Sequence, residues 1–124
     1  MIGLDGFTDL TSDVLGDREM TPTDYIRIMA ERIVQDYDPA KIILFGSHAR
    51  GEAGPESDID LLVVLPEVAD QRKTAVAIRR ILRDLPVPKN IVVTTPEEIA
   101  RRGDLVGTVL RPALREGKVL YERS

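Results

Sequence analysis

Residues 41–65 read KIILFGSHARGEAGPESDIDLLVVL, and this stretch decides the fold. Two apolar runs, over 41–45 and 58–65, flank a segment that is rich in Gly and Ser. Short apolar runs bounded by turn residues are typical of buried strands. We therefore predict two strands joined by a loop over 46–57, in which a short helical turn can follow Ser47.

Helix and strand patterns continue on both sides of this stretch. A Thr-Pro start and apolar spacings of three and four predict a helix from Thr21 to about Asp38. Further along the chain, we predict a helix over 67–85, a third strand over 91–94, one or two helices after Thr95-Pro96 and a short final strand at Lys118–Tyr121. The fold class is therefore α/β (α+β), with a small mixed β-sheet flanked by helices.

The composition bounds the possible functions. A chain of 124 residues with 43% hydrophobic residues is one ordinary domain with a real core. It has no Cys and a single His, which excludes disulfides, thiolate chemistry and multi-His metal sites. No apolar run approaches the length of a membrane span, and the start does not resemble a signal peptide. We expect no membrane partner and a cytoplasmic protein.

The charge is unevenly placed along the chain. The net charge is −4, and residues 1–20 alone hold five acids against one base. The rest of the chain is balanced, although from residue 70 onward 12 bases face seven acids. The bases cluster at Arg79, Arg80 and Arg83, for which a solvated helix face is the simpler interpretation. Direct evidence for a nucleic-acid partner is lacking, since the chain is not uniformly basic.

Asp58 and Asp60 stand at the start of the second apolar run. Side chains at i and i+2 share one face of a strand, so two carboxylates lie side by side next to Leu62. Their repulsion and desolvation are costly, and either a shared proton or a bound divalent cation can offset that cost. Hard oxygen ligands favour Mg²⁺ or Mn²⁺. A solvated strand entry, with Asp58 capping a turn, is the structural alternative.

Gly46-Ser47 follows directly after the first buried strand. Gly46 lets the backbone turn sharply and approach a ligand, and Ser47 offers a hydroxyl next to the free N–H groups of a helical turn. This combination suits a phosphate, although a plain strand-to-helix turn has the same sequence. Arg50 can pair either with phosphate or with an acid such as Glu52 or Asp58.

Together, the two features resemble a known signature. Gly46-Ser47, ten further residues and then Asp58-x-Asp60 is similar to the motif of the DNA polymerase beta-like nucleotidyltransferase superfamily. The fuller strings GSHARG and SDIDL look like its small prokaryotic branch, the minimal nucleotidyltransferases. The resemblance continues through TPEEI and the tail ALREGKVLY. It implies a polymerase beta-like nucleotidyltransferase domain over residues 21–124, behind an acidic N-terminal arm at residues 1–20 that need not be ordered.

The resemblance also implies roles for individual residues. Asp58 and Asp60 would be the catalytic carboxylates and would bind Mg²⁺, in a site of the two-metal type. The reaction would be an in-line displacement at the α-phosphorus of ATP that releases pyrophosphate. The residues expected to bind the nucleotide are Gly46, Ser47, Arg50 and Ser57.

One position departs from the family pattern. Members of the superfamily usually add a third carboxylate from the neighbouring strand, and here the corresponding residue is Asn90. An amide can ligate a metal through its carbonyl oxygen, but it brings no charge and cannot act as a base. The nearest upstream acid, Asp84, is predicted near a helix end. His48, within the loop, is expected to be an exposed loop residue.

The resemblance points to a protein acceptor. Minimal nucleotidyltransferases are commonly paired with a HEPN-domain protein, as antitoxins that transfer AMP to the partner or bind it directly. The short chain leaves the acceptor to another molecule or subunit, which is compatible with a homo-oligomer. The alternatives are a catalytically weakened module that binds a nucleotide or a partner, and a nucleotidyltransferase that acts on a small molecule.

Overall fold

The computed structural model describes residues 20–54, 56–102 and 110–123. Its elements follow in the order α1 (Pro22–Tyr37), β1 (Lys41–Phe45), α2 (Ser47–Arg50), β2 (Ile59–Val64), α3 (Gln71–Ile81), β3 (Lys89–Thr94), α4 (Pro96–Arg102), α5 (Leu110–Glu116) and β4 (Lys118–Glu122). The predicted mixed sheet flanked by helices is confirmed. Apart from Met20, the predicted N-terminal arm lies outside the described residues.

The four strands form one sheet in the order β3-β2-β1-β4. β1 pairs with β2 and with β4 in antiparallel fashion, whereas β2 and β3 are parallel and are joined through α3. The antiparallel register places Phe45 opposite Asp60, and the parallel register places Asp60 opposite Asn90. One edge of the sheet therefore gathers the end of β1 and the beginnings of β2 and β3.

Alternation along β2 divides the core between the two faces of the sheet. Ile59, Leu61 and Val63 pack in a cluster that includes residues of α1 and α3. Leu62 and Val64 pack in a second cluster that includes residues of α5. Because side chains alternate along a strand, Asp60 projects on the same face as Leu62.

Local signals set the ends of the helices. Thr21 and Asp24 form a reciprocal capping box at the start of α1, and Asp38 ends this helix in a left-handed conformation with φ of 47°. The helix predicted over 67–85 is shorter, because the Asp70 side chain accepts from the N–H of Lys73 and caps α3 at its start. The predicted turn after Ser47 is present as α2.

Candidate active site

The bend after β1 lies directly against the second of the two acids. Gly46 has a φ of +77° and a ψ of −157°, a backbone conformation that is open essentially to Gly alone. A Cβ atom built at Gly46 would overlap the Oδ2 atom of Asp60. The absence of a side chain at Gly46 therefore allows the backbone to meet the carboxylate.

The first turn of α2 is built on this bend. The N–H groups of Ala49 and Arg50 both donate to the Gly46 carbonyl, at 3.1 and 3.2 Å. Ser47 begins the turn and is partly exposed. The structure thus places Gly46 beside Asp60, and Ser47 follows Gly46 at the start of the helical turn.

Asp58 and Asp60 occupy the entry to β2. Asp58 is exposed just before the strand, and Asp60 is half-buried at its second residue. Burial raises the pKa of Asp60, a hydrogen bond from Asn90 opposes that rise, and the charge of Asp58 adds to it. Nearby His48 and Arg50 also lower this pKa, but the net shift is upward, so the charged form of Asp60 is disfavoured in the metal-free protein.

Asn90 completes the polar cluster at this edge. It lies in register with Asp60, on the neighbouring strand, where the sequence resemblance predicts a third carboxylate. Because a carboxylate only accepts, the Asn90 amide donates to Asp60 through its NH₂ group. Asp84 takes no part, since it forms two hydrogen bonds with Arg32 at 2.6 and 3.1 Å.

The donor set of this edge fits a hard divalent cation. Two carboxylates and one amide carbonyl are oxygen ligands of the kind that Mg²⁺ accepts, and a cation beside Asp60 would favour its charged form. Among the described residues, no group of three or more His, Cys, Asp or Glu could hold a metal ion. The site would therefore rest on Asp58 and Asp60, with Asn90 as a neutral third ligand.

The remaining predicted site residues are held by other groups. Arg50 donates to Glu52 at 2.9 Å and lies 3.9 Å from Glu116, so it pairs with acids and not with Asp58. The Ser57 hydroxyl accepts from the N–H of Gly54 at 2.9 Å. Both side chains lie near the acids in the chain, but their hydrogen bonds shape the loop between β1 and β2.

His48 differs from the sequence prediction. It is half-buried, and its Nε2 lies 3.2 Å from the carbonyl oxygen of Ser57. Because a carbonyl only accepts, Nε2 carries the proton in this contact. His48 therefore ties α2 to the residue that precedes Asp58. Sequence reasoning missed this contact, because the loop must fold back over nine residues to make it.

A family model described as a nucleotidyltransferase domain matches residues 26–117. A comparison with curated proteins found no match.

Solved structures also resemble the chain. A provisionally assigned nucleotidyltransferase from Sulfolobus solfataricus is 18% identical, with a TM-score of 0.53 over 89% of this chain and 94% of its own. A toxin-antitoxin crystallised with AMP-PNP is 22% identical, with a TM-score of 0.51 over 78% of this chain and 73% of its own. A mutant of the toxin-antitoxin MntA-HpeT is 22% identical, with a TM-score of 0.50 over 81% and 74%. These likenesses show the fold, and the family match shows that the chain belongs to the nucleotidyltransferase domain family.

Proposed function

We propose that this chain is a Mg²⁺-dependent nucleotidyltransferase that transfers AMP from ATP to a hydroxyl group on a partner protein. One observation carries the proposal: Asp60, on which the charge of Asp58 acts, lies against the Gly46 bend. A triphosphate bound at the bend would bring its α-phosphorus next to the two carboxylates. Bound Mg²⁺ would supply charge neutralisation at this point.

The chain's own residues supply positioning and a base. The acceptor oxygen forms a bond to the α-phosphorus, the bond between that phosphorus and the bridging oxygen breaks, and pyrophosphate leaves. The hydroxyl proton must pass to a base, and Asn90 cannot accept it. Asp58 and Asp60 are the two carboxylates of this site that could accept it.

A protein acceptor is supported by the nature of two relatives. Both are named as toxin-antitoxin structures, and one was solved with AMP-PNP. For this chain, we propose an antitoxin-like role, with a HEPN-domain protein as the partner that presents the hydroxyl.

Within residues 20–54, 56–102 and 110–123, no helix is long and apolar enough to cross a membrane.

The register of Asn90 favours a second candidate function. An amide beside Asp60 leaves the site with one negative charge fewer than three carboxylates would give. A weaker cation site lowers the rate of phosphoryl transfer more than it lowers nucleotide affinity, since the transition state depends most on charge neutralisation. The chain would then bind a nucleotide or its partner without turnover.

Mass spectrometry of intact proteins separates the two candidates. The chain is purified with its bound proteins, incubated with ATP and Mg²⁺, and the partner is weighed. Catalysis predicts a partner heavier by one adenylyl group, and this adduct disappears with Asp58→Asn or Asp60→Asn but persists with the exposed control Asp36→Asn. A stable complex without an adduct supports the binding module. Transfer to a small alcohol without any partner would place the acceptor among small molecules.

Asn90→Asp tests the second candidate directly. The substitution restores a third carboxylate opposite Asp60, so we expect faster adenylyl transfer at saturating Mg²⁺. An unchanged or lower rate, in a variant that still binds ATP, would show that the amide does not limit the reaction.

A further inference from the structure

The outer surface of α3 is strongly basic. It presents Arg72, Lys73, Arg79 and Arg80, and the basic face continues into Arg83 and Lys89 beyond the helix. None of these six side chains forms an ion pair with another residue that the structure describes. Acids that border the helix are engaged elsewhere, since Asp70 caps α3 and Asp84 pairs with Arg32.

The basic face is concave and has an apolar centre. A groove of about 300 Å³ is lined by Val76, three Arg side chains and Lys89, and a second groove of about 390 Å³ shares Val76. Val76 is 49% exposed. Burial, together with repulsion from Arg79, lowers the pKa of Lys89, and the charge of Asp84 offsets only part of this effect. A ligand that combines carboxylates with apolar side chains would satisfy both features.

The same chain contains a segment of this chemistry. Residues 1–19 carry the whole excess of negative charge, and aspartates recur at intervals of four residues, at Asp5, Asp9, Asp13 and Asp17. Apolar residues stand between them, among them Phe7 and Leu10. A nucleic-acid backbone offers no apolar counterpart to Val76, whereas this segment does.

The attachment point of the segment lies within reach of the basic face. Arg32 of α1 donates to the carbonyl oxygen of Ile81 at 3.0 Å, which joins the two helices at the end of α3. Pro22 begins α1 ten residues earlier, a distance of about 15 Å along a helix. Nineteen residues can span up to about 60 Å when extended. Tethering also gives the segment a high effective concentration at this face.

We propose that residues 1–19 bind the basic face of α3 in the same chain and cover it. The carboxylates would neutralise Arg79, Arg80 and Arg83, and an apolar side chain would cover Val76. The segment would thereby compete with other acidic ligands for this surface. The proposal is independent of nucleotidyl transfer, because the basic face lies on the side of the sheet opposite to Asp60.

A spin label in the full chain tests the proposal. The sequence has no Cys, so Ser12→Cys accepts a single nitroxide without removing a charge. We expect the amide NMR signals of residues 72–83 to lose most of their intensity relative to the reduced label. Raising the salt to 1 M, where the Debye length is about 3 Å, should restore them.

Two matched variants define the result. Arg79→Gln/Arg83→Gln should abolish the signal loss, whereas Arg101→Gln/Arg102→Gln, an exposed pair on α4, should leave it intact. Equal effects of both variants would overturn the proposal. So would signal loss that appears only when labelled and isotopically enriched chains are mixed, which would identify a second copy as the occupant. An unaffected α3 whose amides shift on addition of a DNA oligonucleotide would identify nucleic acid instead.

Discussion

Gly46 is the residue on which the candidate site depends most. Its backbone conformation excludes side chains, and its neighbour in space is the Asp60 carboxylate. We predict that Gly46→Ala lowers the free energy of unfolding by about 2–4 kcal/mol, from backbone strain and overpacking together. Urea denaturation followed by circular dichroism measures the loss.

Gly51 provides the matched control for this prediction. It also has a positive φ, of +74°, but a Cβ there would meet nothing within 4 Å. Gly51→Ala should therefore cost only about 1 kcal/mol, the penalty of the left-handed conformation. Equal losses in the two variants would mean that Asp60 does not confine the bend.

Asp60 illustrates a conflict between function and stability. Its pKa is raised in the folded state by burial, so ionisation at neutral pH disfavours folding. Without divalent cations, we expect Asp60→Asn to stabilise the fold at pH 7, by at most about 1 kcal/mol because of solvent screening. The gain should shrink as the pH falls through the pKa of the folded state, where Asp60 is already protonated.

Thermal unfolding between pH 3 and pH 7, in EDTA, tests whether Asp60→Asn stabilises or destabilises the fold. Asp36→Asn, at an exposed position of α1, controls for the general loss of one negative charge. A destabilised Asp60→Asn variant at pH 7 would show that the carboxylate makes net favourable contacts in the metal-free protein.

The ends of β3, α3 and α4 are connected by a single carboxylate. Glu98 accepts from the buried Thr94 hydroxyl at 2.6 Å and from the Gln71 amide at 2.7 Å. The hydrogen bond from Thr94 is the largest contribution that lowers the pKa of Glu98. We predict that Thr94→Val, which keeps the shape but removes the donor, costs about 1 kcal/mol at neutral pH.

The same interaction gives a pH dependence of the opposite sign to that of Asp60. A lowered pKa stabilises the fold above the unfolded value and stops doing so as the pH falls through the folded value. The difference between wild type and Thr94→Val should therefore narrow in acid. Thr23→Val, at an exposed position of α1, is the control, and a constant difference at all pH values would contradict the assignment.

The strands and helices were predictable where local chemistry fixes them. The capped start of α1, the turn after Ser47 and the position of β1 follow from neighbours in the sequence. The start of β3 does not: the structure begins it at Lys89 and not at residue 91, because Lys89 and Asn90 pair with β2. Such pairing is non-local, and no periodicity within 86–94 encodes it.

The candidate site was likewise predictable only where local sequence fixes it. The proximity of Gly46 to Asp60 was predictable because two apolar strands flank one short loop. The roles of the individual residues came from the resemblance to a family signature. For Arg50, the sequence left the kind of partner open. Glu52, an acid that the sequence already suggested, is its partner at 2.9 Å, whereas Glu116, at 3.9 Å, is 66 residues away along the chain and could not be predicted.

In the part of the chain that the structure describes, two oppositely charged surfaces lie on opposite faces of one sheet. The acids and the Gly46 bend share one face, and the basic face of α3 lies on the other. ATP carries negative charge and could bind at either surface. Only the acidic site would require a divalent cation, because Asp58 and Asp60 repel an uncomplexed triphosphate.

This difference yields a prediction about ligand-linked stability. A ligand that binds only the folded state at 100 times its Kd adds about 2.7 kcal/mol, which corresponds to about 10 °C in Tm for a domain of this size. We expect such a rise with ATP and Mg²⁺ together and little with ATP and EDTA. Asp58→Asn/Asp60→Asn should abolish the rise, and Asn90→Asp should enlarge it. Arg79→Gln/Arg83→Gln should leave it unchanged, and its loss in this variant would place the nucleotide on the basic face of α3.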